Sequence, residues 1–199
     1  MPDDIPDFAA LIGSRICHDL ISPLGAIGNG VELLQMSAAG ATPETELISQ
    51  SVTNATARIR FFRLAFGSTA GGGLVPPGEV RAILADMTRG GRLGIDWQID
   101  GDLPRQRVKL AFLALQCLET ALPWGGAVTV RSSGDGWHAR ARGARLQLDQ
   151  TLWANLGKGG PDAGIGPAQV QFALLPVEAR QQGRQVDWSH FGDSVTITF

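Results

Sequence analysis

Residues 42–67 have the sequence TPETELISQSVTNATARIRFFRLAFG and carry the clearest helical pattern of the chain. Thr42 before Pro43 is an N-cap followed by proline at the first helical position. The apolar residues then follow at spacings of 4, 3, 4, 3 and 4: they are Ile48, Val52, Ala55, Ile59, Phe62 and Phe66. This a/d spacing predicts a helix that packs in a bundle.

The segment before it, residues 8–36, predicts a second amphipathic helix. Its apolar residues fall within an arc of about 120° when each residue turns by about 100°. They are Ile12, Ile16, Leu20, Pro23, Leu24, Ile27, Val31 and Leu34. The short break at residues 37–43 predicts an antiparallel helical hairpin, whose apolar stripes must be covered by the rest of the chain or by a second copy. A homodimer with a four-helix bundle is the economical solution.

The glycines at residues 71–73, followed by Pro76 and Pro77, end the hairpin. We therefore divide the chain into a helical domain, residues 1–70, and a second domain, residues 74–199. In the second domain we predict helices at 78–88, 105–122, 148–156 and 167–182, and strands at 93–99, 127–131, 137–142 and in two final segments that end at 199. This alternation predicts an α+β fold with a two-layer α/β sandwich, whose core includes the tryptophans Trp97, Trp124, Trp137, Trp153 and Trp188.

Composition excludes several classes of protein. The 199 residues include 17 basic and 19 acidic residues without long runs, which argues against a nucleic-acid or polybasic membrane partner. The longest apolar runs are far shorter than the roughly 20 residues of a membrane span, and the acidic N-terminus is unlike a signal peptide. We therefore expect a cytoplasmic protein. Cys17 and Cys117 are too few for a disulfide framework and lack zinc-ligand spacing.

His18 is the candidate for chemistry because of where it points. The three histidines stand apart from one another, so no metal site is expected, and the GxSxG, HExxH and Walker patterns are absent. His18 lies about 180° from the apolar stripe of its helix. The small or polar residues Ser14, Ser22, Gly25, Asn29 and Glu32 share its side. An exposed histidine of this kind is either a solvated surface residue or a group whose chemistry another protein completes.

The segment HDLISPL at residues 18–24 resembles the H-box of two-component histidine kinases. The longer segment SRICHDLISPLGAIGNG, residues 14–30, together with RFFRLAFG, residues 60–67, resembles ChpT-type histidine phosphotransferases of alphaproteobacteria. The resemblance is strong over residues 8–68 and only architectural beyond them. It implies a dimerising four-helix stem and a second domain similar to the histidine kinase ATP-binding domain.

The resemblance also implies a function. His18 accepts a phosphoryl group, Asp19 accepts a proton or orients the imidazole, and Ser22 hydrogen-bonds the phosphoryl group. The phosphoryl group passes from the receiver domain of a CckA-type hybrid kinase to CtrA- and CpdR-type response regulators. The chain itself binds no cofactor, since the receiver supplies Mg²⁺. The candidate partner-binding residues are Leu11, Ser14, Arg15, Ile21, Gly25, Arg60 and Phe61.

Two of these expectations leave alternatives open. Phe61 lies opposite the heptad stripe, so it either packs on the second domain or anchors a partner. Arg58, Arg60 and Arg63 either steer an acidic receiver or form a solvated helix face.

Use of ATP depends on the second domain. Residues 115–122 align with the kinase N-box, where Gln116 and Thr120 replace the two asparagines that hold magnesium and phosphate. Residues 162–166, DAGIG, match the DxGxG nucleotide box but lead directly into a helix instead of a long lid. We therefore expect a degenerate domain that does not use ATP. The alternatives are an ATP-dependent histidine kinase and a non-catalytic dimer that sequesters a receiver.

Overall fold

We describe the protein from a computed structural model, which covers residues 8–37, 42–158 and 165–199. The helices are α1 (Phe8–Met36), α2 (Pro43–Ala65), α3 (Pro77–Thr88), α4 (Arg105–Ala121), α5 (Gln150–Lys158) and α6 (Val170–Gln181). The strands are β1 (Leu74–Val75), β2 (Leu93–Trp97), β3 (Leu103–Pro104), β4 (Gly126–Ser133), β5 (Gly136–Arg142), β6 (Asp187–Phe191) and β7 (Ser194–Thr198). A single 3₁₀ turn, Pro167–Gln169, precedes α6. The predicted order of elements is confirmed, and only the two-residue strands β1 and β3 were absent from the prediction.

Helices α1 and α2 form the predicted antiparallel hairpin. The backbone N–H of Thr45 donates to the Thr42 hydroxyl, and the Thr42 N–H donates to the Thr45 hydroxyl, so a capping box starts α2. A Cβ added at Gly28 would lie 3.4 Å from Cγ1 of Val52. Near the other end of the hairpin, a Cβ added at Gly13 would lie 3.8 Å from the carbonyl oxygen of Phe66. A residue of α1 and the residue of α2 that lies opposite it therefore have numbers that sum to about 80.

One face of α2 enters the core of the rest of the chain. Phe61, Leu64 and Ala65 belong to the same buried cluster as the sheet residues, and the Phe61 ring lies 4.5 Å from the Phe112 ring of α4. Only 2% of Phe61 is exposed. The expectation that Phe61 contacts a partner is therefore wrong, because packing on α4 removes its side chain from the surface.

The larger sheet has five strands in the order β2-β4-β5-β7-β6. Strands β2 and β4 are parallel, and the other neighbours are antiparallel. Alternate residues are buried along the central strands: they include Val128, Val130, Ala139, Ala141, Val195 and Ile197. Apart from the buried Ser194, their neighbours within the strands are exposed or half-buried, so one face of the sheet is covered by helices and the other meets solvent. This is the predicted α+β fold with a two-layer sandwich.

Helix α4 is the centre of the second layer. It is buried along nearly its whole length and packs on β4, β5 and α6. A buried ion pair between Lys109 of α4 and Glu178 of α6 ties the two helices together. Three of the five tryptophans are buried in this region, and Trp188 packs against the core. The prediction that Trp124 lies in the core is wrong, because it is 47% exposed in a loop, with the guanidinium of Arg145 over its ring.

Part of the apolar stripe of α1 is left exposed by the described residues, although Val31 is buried. Between 46% and 60% of each of four side chains, Ile16, Leu20, Ile27 and Leu34, is exposed. Leu47 and Ile48 at the start of α2 are also exposed. The sequence allows two covers for this stripe, the rest of the chain or a second copy. The described residues of the chain leave these side chains exposed. None of the described helices is long and apolar enough to cross a membrane.

Candidate functional site

Helices α1 and α2 together are called the stem below. His18 lies in the first half of α1, on a polar face of the stem. Its side chain is exposed, as are Ser22 one turn later and Gly25 two turns later. A Cβ added at Gly25 would meet no atom within 4 Å, so this surface is open to a large partner. The buried Cys17 and the half-buried Ile21, one turn apart, lie at the edge of this face that turns toward α2.

The other two histidines have different surroundings. His138 is half-buried in β5, where it pairs with Arg131 of β4 and Thr198 of β7. His190 lies in the edge strand β6, and its Nε2 is 2.9 Å from the carbonyl oxygen of Gly192. Only His18 of the three belongs to the stem. The described residues hold no group of three His, Cys, Asp or Glu side chains that could bind a metal ion.

The remaining predicted site residues divide into two groups. The side chains of Leu11, Ser14, Arg15 and Asp19 lie outside the described part of the structure, so their roles stay predictions. Arg60 is described and is exposed on α2. The numbering of the hairpin places it level with residues 19–20 of α1, close to the height of His18.

Two of the three arginines of α2 reach the second domain. Nη2 of Arg58 lies 3.5 Å from Oε1 of Glu119 in α4. Nη2 of Arg63 lies 3.8 Å from Oε1 of Glu79 in α3. The sequence left two alternatives for these arginines, steering of a receiver or a solvated helix face. Neither alternative includes the contacts that Arg58 and Arg63 make with the second domain.

Arg105, the first residue of α4, is a contributor that sequence reasoning missed. Its Nη2 donates to the carbonyl oxygen of Arg63 at 3.1 Å, and its Nε donates to that of Ser68 at 3.4 Å. These carbonyls belong to the end of α2 and the turn that follows, where a cation is favoured. Burial lowers the pKa of Arg105, and the nearby charge of Arg63 lowers it further. Sequence carries no signal for this contact, because the partners are about forty residues apart.

Cys17 precedes His18 but cannot share its chemistry. Its side chain is 8% exposed. Burial raises the pKa of the Cys17 thiol, and the positive charge of Arg63 only partly opposes that rise. The thiol therefore stays protonated and is a poor nucleophile near neutral pH.

A groove of about 320 Å³ separates the end of α2 from α4 and the start of α6. The two positions that align with the N-box asparagines, Gln116 and Thr120, line it together with Phe62 and Phe66. The hydroxyl of Thr120 donates to the carbonyl oxygen of Cys117 at 2.7 Å, so its own helix occupies it. Oε1 of Gln116 is buried and has no hydrogen-bond partner among the residues that the structure describes. Asp162, Ala163 and Gly164 of the DxGxG match lie outside the described residues.

Comparisons with known proteins agree on one family. A family model for the histidine phosphotransferase C-terminal domain matches residues 77–194. The chain is also 38% identical over 186 residues to protein phosphotransferase ChpT from Brucella abortus (strain 2308), covering 90% of this chain and 88% of that protein. This chain belongs to the histidine phosphotransferase family.

A solved structure supports the same assignment for the whole phosphotransferase chain. A bacterial phosphotransferase determined at 1.7 Å superposes with a TM-score of 0.68 at 25% identity and covers 100% of this chain and 98% of that one. The stem and the sheet domain of this phosphotransferase are therefore both part of the shared fold. The family that the His18 segment resembles is confirmed, although the family model covers the other end of the chain.

Proposed function

We propose that this protein is a phosphorelay intermediate that carries a phosphoryl group on His18 between receiver domains. The single observation that carries the proposal is the position of His18: it is exposed on the open polar face of a helical stem, one turn before Ser22. Following the family resemblance, the donor is the receiver of a CckA-type hybrid kinase, and the acceptors are CtrA- and CpdR-type response regulators. We also place the protein in the cytoplasm.

The transfer needs little from the chain beyond a positioned nucleophile. The lone pair of one imidazole nitrogen attacks the phosphorus of the receiver's aspartyl phosphate in line. The N–P bond forms as the aspartyl O–P bond breaks, and the receiver regains its carboxylate. Mg²⁺ held by the receiver neutralises charge on the phosphoryl oxygens. Asp19 orients the imidazole or takes its proton, and Ser22 donates to a phosphoryl oxygen.

We propose that the protein works as a homodimer whose four-helix bundle covers the uncovered stripe of α1. Isolated surface apolar residues are common, but a row at helical spacing along one face is typical of an interface. The exposed residues Ile16, Leu20, Ile27 and Leu34 follow that spacing. The polar face of His18 lies on the other side of the helix and stays available to a receiver.

We propose that the second domain does not use ATP. The two asparagines that hold magnesium and phosphate in kinases are replaced by Gln116 and Thr120, and the Thr120 hydroxyl donates to a carbonyl oxygen of its own helix. The domain then supports the helical hairpin, to which it is joined by the ring contact of Phe61 with Phe112 and by the ion pair of Arg58 with Glu119.

The test is labelling of the full chain with γ-phosphate-labelled ATP, first alone and then with a phosphorylated receiver of a hybrid kinase. We expect acid-labile label only with the receiver, its loss in His18→Ala, and its retention in the matched control His138→Ala. Label from ATP alone identifies a kinase. Stoichiometric receiver binding without label on His18 identifies a sequestering dimer, and either result contradicts the proposal.

A further inference from the structure

The guanidinium of Arg63 has donors that the fold does not use. Its Nε is buried and, in the described part of the structure, has no hydrogen-bond partner. Among the described side chains it forms an ion pair with Glu79, and the 3.8 Å between Nη2 and Oε1 is longer than a hydrogen bond. Leaving a buried N–H unpaired is costly, and more so on a charged group. Arg58 differs, because its bridge to Glu119 lies within hydrogen-bond distance.

The hairpin places Arg63 at the height of the candidate nucleophile. The contacts of Gly28 with Val52 and of Gly13 with Phe66 set residue 63 opposite residues 16–17. The positive charge of Arg63 lowers the pKa of the Cys17 thiol, which agrees with this placement. About 41% of the Arg63 side chain is exposed, so a group arriving from solvent can reach it.

The charges around Arg63 favour an anion. Arg105 is held nearby by the carbonyl oxygens of Arg63 and Ser68 and is not free to move away. Two guanidiniums thus face one described carboxylate, Glu79, in a partly desolvated junction. Arginine presents N–H donors in a fork that matches the oxygens of a phosphoryl group.

We propose that Arg63 is a catalytic residue whose guanidinium binds oxygens of the phosphoryl group during its transfer to His18. This proposal rests on the proposed function. The reacting bonds are unchanged: N–P forms at His18 as O–P breaks at the receiver, and Arg63 neither gains nor loses a proton. Its role is to stabilise the charge that spreads over the equatorial oxygens in the transition state.

The first experiment compares Arg63→Gln with Arg60→Gln in single-turnover transfer from a phosphorylated receiver over a range of receiver concentrations. For Arg63→Gln we expect the rate at saturation to fall at least tenfold with little change in the half-saturating concentration. For the exposed Arg60 we expect the reverse, a higher half-saturating concentration at a similar limiting rate. An unchanged limiting rate in Arg63→Gln overturns the proposal.

The second experiment removes the receiver. Phosphoramidate is a small donor whose N–P bond breaks, releasing ammonia, as the phosphoryl group moves to a histidine. We expect Arg63→Gln to slow labelling of His18 at least tenfold here too, and Arg63→Lys to regain part of the rate because it keeps the charge. A defect seen with the receiver but not with phosphoramidate means that Arg63 only docks the partner, which overturns the proposal.

These arms separate the possible failures. If the wild-type chain takes no phosphoryl group from any receiver, the proposed function fails before Arg63 is tested. If wild type reacts and both Arg63 variants match it, the inference alone fails. Thermal unfolding of each variant identifies loss of structure, and Arg63→Lys serves as the test variant where Arg63→Gln does not fold.

Discussion

Replacing Phe61 by alanine tests whether α2 is part of the core of the sheet domain. The side chain is 2% exposed, and its ring lies 4.5 Å from that of Phe112. Truncating a buried phenylalanine costs about 3–5 kcal/mol, which includes the cavity left behind. The lost aromatic contact accounts for about 0.5–1.5 kcal/mol beyond area burial. We therefore expect Phe61→Ala to lower the free energy of unfolding by about 4 kcal/mol.

The assay is urea unfolding followed by circular dichroism at one fixed protein concentration, since a dimer makes the midpoint depend on concentration. With a slope of about 2 kcal/mol per molar urea, the midpoint falls by about 2 M. Phe191→Ala is the matched control, because Phe191 is 86% exposed at the turn between β6 and β7 and should change the free energy by less than about 0.5 kcal/mol. A loss below about 1 kcal/mol in Phe61→Ala, or one equal to that of the control, refutes the assignment of Phe61 to the core.

Three further predictions concern the interior and the uncovered stripe. Lys109→Met leaves Glu178 buried without its partner and should cost about 3–5 kcal/mol, whereas Lys109→Met with Glu178→Leu should recover most of it; a double variant as unstable in thermal unfolding as the single one contradicts this. Ile27→Asp places a charge in the proposed dimer interface and should give a monomer in sedimentation. Leu74→Asp, at a position that is also exposed but lies outside the helical hairpin, should sediment as wild type does, and a dimeric Ile27→Asp argues against the interface. Burial raises the pKa of the Cys117 thiol well above its ordinary value, so its contribution to stability is complete below the pKa of the unfolded thiol and is lost as pH rises above it. Between pH 8 and 9.5 the free energy of unfolding should therefore fall by about 1 kcal/mol more in wild type than in Cys117→Ala, and parallel pH profiles would contradict that.

Local signals in the sequence were sufficient for most of the fold. The N-cap at Thr42 and the a/d stripe located α2, and the same periodicity located α1. Strands β1 and β3 were missed because two residues are too few to show an alternating pattern. Trp124 was placed in the core by residue type alone, whereas its position in a tight turn between α4 and β4 leaves it at the surface.

The second face of α2 shows a different limit. Heptad spacing identifies one apolar stripe, yet Phe61, Leu64 and Ala65 lie outside it and are buried. Apolar residues on two faces of a helix indicate burial on both sides, and that signal was present in the sequence. It did not reveal the partner, because contact with Phe112 depends on folding of a segment fifty residues away.

The candidate site shows the same difference between local signals in the sequence and contacts with distant segments. The sequence predicted an accessible His18, and the resemblance of residues 14–30 supplied its chemistry. Periodicity could not assign separate environments to the three arginines of α2. Arg58 contacts Glu119, and Arg63 contacts Glu79 and Arg105, all of which lie in other elements.

The burial of one face of α2 affects how this protein can be recombined with its relatives. The glycines at 71–73 look like a natural point for exchanging halves, but a cut there separates Phe61 and Leu64 from the core they complete. Helix α1, in contrast, packs mainly on α2 and contributes nothing to that core among its described side chains. A chimera that receives α2 together with the sheet domain keeps its interior intact. The inheritable unit is therefore the chain from residue 42 onward, onto which a new α1 with a different partner preference can be grafted.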